Sequence, residues 1–203
     1  QPFFIQLNNK IKILFNSIML YLTNDYFSDI SIIISALDSI NLRSSTDRIQ
    51  AFKRFYGRLP PRDSYTVQYG YTKKKWLSAN KDRLESDNIG LYETVLKSAE
   101  PDLEILLKEF FELYSPEPKF KWTEMQINKN FQIYPHRDKG NIGESYIIGF
   151  GSYSGGELKV ENELVDIHDK FVKFDGTNRT HSTLPFKDER YSVVFFNNHI
   201  TAH

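Results

Sequence analysis

Cysteine is absent from the 203 residues of this chain. Its absence excludes disulfides, thiolate zinc sites, iron–sulfur clusters and cysteine nucleophiles. Any metal must therefore bind through His, Asp, Glu or Tyr. Long apolar runs are also absent, since residues 3–22 contain Gln6, Lys10 and Lys12 and cannot supply the roughly 20 mostly apolar residues of a membrane span. We therefore expect no membrane partner and an intracellular location, nuclear in a eukaryotic cell.

An excess of charge of either sign is missing, because 26 Lys and Arg balance 26 Asp and Glu. The distribution along the chain is nevertheless uneven. Residues 43–83 hold eleven Lys and Arg against three Asp, whereas residues 84–125 hold ten acids against four bases. Aromatic residues interleave the basic block, and cations with rings are what a nucleic-acid groove needs. A solvated helix face with ordinary core aromatics is the alternative. The candidate nucleic-acid contacts are Lys73, Lys74, Lys75 and Trp76.

Helical patterning dominates the first part of the chain. Apolar spacing and capping residues predict helices over 4–22, 29–40, from Ser44 or Ser45 to Gly57, and over 101–114. Alternation predicts one strand over 64–71. No linker separates two units, so we expect a single domain over 1–203, with 1–117 as a mainly helical support layer. The first residue is Gln1 and not Met, which predicts processing or truncation.

The pattern changes at about residue 118, where short β-rich runs begin to alternate with turn residues. Seven of the ten glycines lie between 140 and 176. Strands are predicted over 121–127, 132–134, 145–150, 157–160, 170–174 and 190–196. Several short strands at near-even spacing favour a sandwich or jelly roll. The expected fold class is therefore α+β, with a jelly-roll, cupin-like core over 118–203 and N-terminal helices packed on one sheet.

The central chemical pattern is His136, Asp138 and then His181. Two His and one carboxylate on one face of Fe(II) leave three positions open, which can take a bidentate 2-oxo acid and O2. Two ligands with one residue between them can bind the same metal where a strand runs into a turn. Pro135 and Gly140 favour such a turn. The third ligand must come from a distant strand that closure of the sheets brings alongside.

Arg190 extends this pattern toward a co-substrate. Period-two geometry places Arg190, Ser192 and Phe196 on one face of a strand. A guanidinium can bind the distal carboxylate of 2-oxoglutarate bidentately, and a hydroxyl two residues later can add a hydrogen bond. A lone His-x-Asp is more often a surface turn, but the ordered conjunction in a β context predicts an iron site beside a 2-oxoglutarate site.

The other histidines carry weaker patterns. His168-Asp169 could indicate a metal phosphohydrolase, but that chemistry sits on packed helices, and this region is rich in glycine and β-formers. A polar turn between two strands is therefore favoured. His199 and His203 follow the last predicted strand and are expected to be surface residues.

At these residues the sequence resembles the Fe(II)/2-oxoglutarate dioxygenase superfamily, over about 124–198. The segments 155–158 (GGEL) and 174–176 (FDG) agree as well. The resemblance implies a double-stranded β-helix and an enzyme that uses Fe(II), 2-oxoglutarate and O2. It further implies that His136, Asp138 and His181 are the catalytic metal ligands, and that Arg190 and Ser192 bind the co-substrate.

Within the superfamily, residues 136–141 (HRDKGN) are similar to the HRD-x-x-N pattern of the ten-eleven-translocation and J-binding-protein group, which oxidises methyl groups on DNA bases. The resemblance implies that Asn141 contacts a flipped base, that Phe196 stacks on it, and that Asn198 stands where many members have His. The implied substrate is 5-methylcytosine or thymine in DNA. Two alternatives remain: the same chemistry on a protein side chain or small molecule, and a non-catalytic jelly-roll binding module.

Overall fold

The structure is a computed structural model that describes residues 13–15, 18–20, 22–40, 44–73 and 91–199. The helices are α1 (Tyr26–Asp38), α2 (Thr46–Tyr56), α3 (Val95–Ala99) and α4 (Leu103–Tyr114). The strands are β1 (Ile13–Phe15), β2 (Ile18–Leu20), β3 (Tyr65–Tyr69), β4 (Tyr71–Lys73), β5 (Leu91–Glu93), β6 (Glu124–Lys129), β7 (Asn141–Gly151), β8 (Ser154–Gly155), β9 (Leu158–Val160), β10 (Glu163–Val165), β11 (Val172–Phe174), β12 (His181–Thr183), β13 (Phe186–Lys187) and β14 (Arg190–Asn198). Within these ranges no helix is long and apolar enough to cross a membrane.

Local capping explains where the helices begin and end. In α2 the Ser45 side chain accepts a hydrogen bond from the backbone N–H of Arg48, and Gly57 ends the helix with a φ of +69°. Glycine adopts this left-handed conformation without steric strain, because it has no Cβ. The predicted helix from Ser44 or Ser45 to Gly57 is therefore confirmed. Likewise α4 matches the helix predicted over 101–114, and α1 begins three residues before the predicted start at 29.

The helix predicted over 4–22 is wrong wherever that segment is described. β1 and β2 pair as an antiparallel hairpin, with Ile13 opposite Leu20 and Phe15 opposite Ile18. Short runs of Ile, Phe and Leu favour strands as readily as a buried helix, and apolar spacing alone does not separate the two. Leu22 is buried and belongs to no helix or strand, and the remaining residues of the predicted helix lie outside the described ranges.

A five-stranded antiparallel sheet in the order β11-β7-β14-β6-β3 forms the centre of the fold. Successive side chains of a strand point to opposite faces. One face carries buried apolar residues such as Ile127, Ile148 and Val193, which form one core cluster with residues of α1 and α4. Helices therefore pack on one face of this sheet. The sheet also includes β3, which lies ahead of the predicted β region at 118.

A smaller antiparallel sheet has the order β10-β9-β12, and residues 133–136 extend it beyond β12. The Thr183 N–H donates to the Ile133 carbonyl at 2.9 Å, and His136 and His181 exchange two backbone hydrogen bonds of 3.0 and 2.9 Å. The strand predicted over 132–134 is thus an extended segment with an isolated bridge and not a regular strand. The ladder slips here, because two residues separate the donors His181 and Thr183 whereas three separate their acceptors His136 and Ile133.

The second face of the large sheet turns toward the smaller one. Ile147 of β7 packs with Leu158 and Val160 of β9 and with Phe174 of β11 in a second, smaller apolar cluster. Beyond this cluster the facing side chains become polar, and a cavity opens between the two sheets. The protein is therefore a mixed α and β fold with antiparallel sheets, and the cavity lies on the face of the large sheet opposite α1 and α4.

Candidate metal centre

His136, Asp138 and His181 converge at the edge of this cavity. Each offers one ligand atom, and the three atoms lie within 4.8 Å of one another. Asp138 Oδ1 lies 3.3 Å from His136 Nε2, and Asp138 Oδ2 lies 3.4 Å from His181 Nε2. In the described part of the chain, no other group of three or more His, Asp or Glu side chains comes this close. The predicted ligand set is brought together as the spacing required, because the His136 segment pairs directly with β12.

Backbone carbonyls orient both imidazole rings. His136 Nδ1 lies 2.9 Å from the Tyr134 carbonyl, and His181 Nδ1 lies 3.3 Å from the Arg179 carbonyl. A carbonyl only accepts, so each Nδ1 carries the hydrogen and donates it. In the neutral rings the Nε2 lone pairs then face the carboxylate of Asp138. This is the arrangement that fixes the ring orientation of metal-binding histidines.

Asp138 is held by its backbone as well as by its neighbours. Its N–H donates to the Gly176 carbonyl at 2.8 Å, and its own carbonyl accepts from the Asn141 N–H at 2.9 Å. Burial opposes ionisation of its carboxyl, but imidazoles that carry a hydrogen on Nε2 donate to the carboxylate, outweigh burial and hold the pKa of Asp138 below its usual range. The carboxyl group of Asp138 is therefore ionised at neutral pH and can bind a cation.

The donor set fits a divalent iron. Two Nε2 lone pairs and a carboxylate meet at van der Waals separations, and with neutral rings no hydrogen lies between them, so a cation relieves their mutual repulsion. Two His and one carboxylate with open positions are the donor set of non-haem Fe(II) sites. Gly176 packs closely against two of these ligands. A Cβ at this position would lie 3.0 Å from Asp138 Oδ2 and 3.1 Å from His181 Cε1.

Arg190 is a buried cation with an unusual set of neighbours. It is 2% exposed and lies between the rings of Tyr153 and Phe186, at 5.1 and 5.4 Å from their centroids. Its Nη2 donates to the Gly156 carbonyl at 3.1 Å, while its Nε makes no hydrogen bond of normal geometry. No carboxylate of the described residues forms an ion pair with it. Burial lowers the pKa of the guanidinium, and an incoming anion would offset that cost.

Glycine at position 156 makes room for this guanidinium. A Cβ on Gly156 would lie 2.8 Å from Arg190 Nε, and the residue has a φ of +72°. The GGEL segment at 155–158 therefore has a physical role in the pocket of Arg190. Its neighbours Tyr153 and Phe186 exclude water from the same place.

A row of buried hydrogen bonds leads from Arg190 across three strands. Arg190 Nη1 donates to Ser192 Oγ at 3.4 Å, and Asn128 Nδ2 donates to the same oxygen at 3.1 Å. Thr66 Oγ1 donates to Asn128 Oδ1 at 2.6 Å, and Gln126 Nε2 donates to Thr66 at 3.0 Å. Ser192 Oγ thus accepts two hydrogen bonds, and its own O–H remains to donate into the cavity.

The cavity has a volume of about 320 Å³. It contains the metal cluster and Ser192 together with the three predicted substrate residues, Asn141, Phe196 and Asn198. Phe196 and Asn198 are buried, and Asn141 is half-buried. His199 is exposed, as expected of a surface residue. It also lines the cavity, which the sequence analysis did not predict.

The other predicted residues lie elsewhere. His168 Nε2 donates to the Gly151 carbonyl at 2.8 Å, and its ring stacks on Tyr153 at 4.3 Å, so it packs behind Arg190 in the turn that was predicted. Lys73 ends β4, and its side chain is not described. Lys74, Lys75, Trp76 and His203 lie outside the described residues.

Sequence reasoning missed several polar residues of the cavity wall. They are Gln68, Ser182, Thr183, Arg48, Thr66, Gln126 and Asn128. A signal was present in the last three, because β3 and β6 alternate apolar and polar residues although both faces of the sheet are covered. Polar side chains at every second position of a covered strand indicate a lined cavity. No such pattern pointed to Arg48, because the sequence does not show where its helix packs in the fold.

Comparison with known proteins found similar solved structures, two of which are described here. NgTET1 in complex with 5mC DNA is 14% identical with a TM-score of 0.45, and the match covers 76% of this chain and 69% of that chain. An oxidoreductase of the 2OG-Fe(II) oxygenase family from Burkholderia pseudomallei is 17% identical with a TM-score of 0.40, covering 75% of this chain and 78% of that chain. No protein-family model and no curated protein matches. Both TM-scores are below 0.5, so the geometry above carries the case for the site.

Proposed function

We propose that this protein is an Fe(II)- and 2-oxoglutarate-dependent dioxygenase that oxidises a methyl group on a nucleic-acid base, 5-methylcytosine or thymine in DNA. The observation that carries the proposal is the convergence of His136, Asp138 and His181 on one cavity with a buried, ion-pair-free Arg190 behind Ser192. We further infer that the two sheets form a double-stranded β-helix, with the site between them.

In this proposal His136 Nε2, Asp138 and His181 Nε2 hold the iron. The ring orientations support it, because both Nδ1 hydrogens are engaged by carbonyls and both Nε2 atoms face Asp138. With 2-oxoglutarate and O2, bound Fe(II) supplies the chemistry that converts a methyl group to a hydroxymethyl group while the oxo acid becomes succinate and CO2.

Arg190 and Ser192 take the distal carboxylate of 2-oxoglutarate. The guanidinium supplies a charge that the described residues leave without an ion-pair partner, and Ser192 supplies the hydroxyl hydrogen. Charge-assisted hydrogen bonds in a water-poor place are stronger than neutral ones. The rings of Tyr153 and Phe186 hold the guanidinium in one orientation. This orientation determines how the distal carboxylate of the oxo acid is bound.

Asn141, Phe196 and Asn198 are proposed to face the target base. Phe196 offers an aromatic ring in the cavity, and the two amides offer both donors and acceptors for a base edge. A base inside a duplex must leave the stack before it can enter such a cavity. The volume of about 320 Å³ is at the lower end of ligand cavities, roughly 300–1,000 Å³.

Mass spectrometry of nucleosides tests the substrate. The protein, loaded with Fe(II), is incubated with 2-oxoglutarate and oligonucleotides that differ only in the presence of 5-methylcytosine, and thymine is followed in the same digest. We expect a hydroxymethylated base with wild type and none with His136→Ala. Succinate formed without any oxidised base would exclude the nucleic-acid substrate and favour a protein side chain or small molecule.

A further inference from the structure

Helix α2 lies beside the cavity and not with the helical layer on the far face of the sheet. Arg48 of its first turn lines the cavity, and Phe55 of its last turn stacks on Tyr134 with ring centroids 5.8 Å apart. Tyr134 is the residue whose carbonyl holds His136. Buried Phe52 anchors the helix by its contact with Phe131 at 5.0 Å. The helix therefore borders the cavity at its first turn and the segment that leads to His136 at its last turn.

Arg48 occupies a position that helix stability does not explain. Counting from the N-cap Ser45, it is the third helical residue, where Glu or Gln completes a capping box and where a cation opposes the helix dipole. Its side chain is exposed, and no carboxylate of the described ranges lies within ion-pair distance. Among the described residues that line the cavity, it is also the only Lys or Arg. A ligand with a negative charge accounts for its placement.

Further cations follow along the same helix. Lys53 and Arg54 are exposed, and among the described residues neither forms an ion pair. Asp47 is the single acid of α2. Three of the six Lys and Arg in the described part of the basic block therefore lie on a helix at the cavity border. At about 100° per residue, Lys53 and Arg54 project from other sides of the helix than Arg48, so they act through the positive potential around the helix, which attracts a polyanion.

An exposed aromatic ring lies next to these cations. Phe55 is 54% exposed although it stacks on Tyr134, with the two ring planes inclined at 26°. A second depression of about 350 Å³, lined by Phe55 and Pro135, adjoins the cavity, and Ser182 and Thr183 border both. A ring with a free face at this place offers a stacking platform that any base can use.

We infer that α2 and Tyr134 form the strand-binding surface of the protein, with a single nucleic-acid strand as its occupant. Arg48 binds the phosphate next to the base that enters the cavity, and Phe55 stacks on a neighbouring base. Lys53 and Arg54 attract the adjoining backbone. The inference rests on the proposed function, since it names how the same site holds its polymer substrate.

Fluorescence anisotropy of a 5′-fluorescein-labelled 12-nucleotide strand with one central 5-methylcytosine tests this surface. Affinity is measured across salt concentrations without O2, so that no turnover contributes. Arg48→Gln should lower the slope of log affinity against log salt by about 0.7, the value for one phosphate of a single strand. Phe55→Ala should weaken binding at least about fivefold with no change in slope.

Matched variants separate a contact from a change in fold. Arg48→Gln keeps a residue suited to the capping box, so its unfolding midpoint should not fall, and Arg48→Lys should restore the slope. Lys108→Gln removes an exposed cation of α4, on the far face of the sheet, and should change neither affinity nor slope. An unchanged slope in Arg48→Gln, or an equal loss in Lys108→Gln, would overturn the inference.

The outcomes also distinguish this inference from the proposed function. Base oxidation by wild type together with undiminished strand affinity in Arg48→Gln and Phe55→Ala overturns the surface and leaves the enzyme. Loss of affinity in both variants supports the surface even where no base is oxidised, and it then assigns a binding role for a nucleic-acid strand.

Discussion

Arg190 places a positive charge where the protein itself supplies no carboxylate among its described residues. A buried guanidinium without an anionic partner costs free energy, because its hydration is lost and no carboxylate compensates for it. The rings of Tyr153 and Phe186 and the Gly156 carbonyl offset part of this cost. Arg190 lies behind Ser192 of the cavity wall, and a cost retained there is what we expect of a residue that binds an anionic ligand.

Replacing Arg190 by Met should separate stability from co-substrate binding. The unfolding midpoint of Arg190→Met should stay equal or rise, because an unpaired buried charge is removed and the shape is roughly kept. The gain in midpoint that 2-oxoglutarate gives wild type should vanish. Thermal unfolding with and without the oxo acid measures both, and Arg179→Met, which loses only surface ion pairs with Glu161 and Glu163, is the control. A full 2-oxoglutarate shift in Arg190→Met would refute this role.

Gly176 offers a test of the metal cluster in which none of the three ligand residues is mutated. An added methyl group would lie 3.0 Å from Asp138 Oδ2 and 3.1 Å from His181 Cε1. Gly176→Ala should therefore weaken binding of Fe(II), or of Mn(II) as a redox-stable probe, by displacing two ligands by a few tenths of an ångström. Gly140→Ala is the matched control, since nothing lies within 4 Å of its added carbon. Equal metal affinities in the two variants would contradict the proposed cluster.

Among the elements, β3, β6 and β14 do most to build the cavity wall. Their registers place Thr66 opposite Asn128 and Asn128 opposite Ser192, so three side chains from distant parts of the sequence form one hydrogen-bonded row. Because the row ends at Arg190, strand pairing sets the position of the guanidinium. A shift of one residue in either register would turn the row to the opposite face.

Thr66→Val tests whether this row connects the strands to the co-substrate. The variant leaves Asn128 Oδ1 buried without its donor, so the free energy of unfolding should fall by about 1–2 kcal/mol. The Kd for 2-oxoglutarate should also rise, because Asn128 no longer holds Ser192 in one orientation. Urea unfolding and calorimetric titration measure the two effects, and Thr66→Ser keeps the hydroxyl as a control. A Kd unchanged in Thr66→Val would show that the row is structural only.

The sequence predicted elements with strong local signals and missed those defined by distant pairing. The caps Ser45 and Gly57 located α2, and period two placed Ser192 and Phe196 on the cavity face of β14. The β1–β2 hairpin was wrongly predicted as helix, because its apolar runs suit both structures. The place of β3 in the central sheet, and hence Thr66 in the cavity wall, depends on pairing with a strand some sixty residues later. Local patterns carry no information on such a partner.

At the scale of the whole molecule, the metal cluster joins the two sheets. His181 belongs to β12 of the smaller sheet, and Asp138 lies just ahead of β7 of the larger one. An ion bound by both connects segments that apolar contacts join through the small cluster around Ile147. Metal binding should therefore stabilise the fold as a whole and not only order a loop.

Metal loading should accordingly raise the thermal unfolding midpoint. At a free ion concentration of about 100 times the Kd, binding to the native state adds about 2.7 kcal/mol. For a chain of this length that corresponds to a rise of roughly 5–11 °C. Scanning calorimetry with Mn(II) measures the shift, a chelator should reverse it, and His199→Ala should retain it because His199 lies outside the cluster. A shift that survives in Asp138→Ala would contradict the assigned ligands.

The most direct measurement is the conversion of 2-oxoglutarate to succinate by the purified protein with Fe(II), with and without O2, beside His181→Ala. We predict succinate in stoichiometric amount with CO2 only when iron and O2 are both present, and loss of at least about two orders of magnitude in His181→Ala, as for removal of a group on which catalysis depends. Wild-type protein that binds no metal and forms no succinate, or His181→Ala that forms it at the wild-type rate, would contradict the assignment of this cavity as a dioxygenase site.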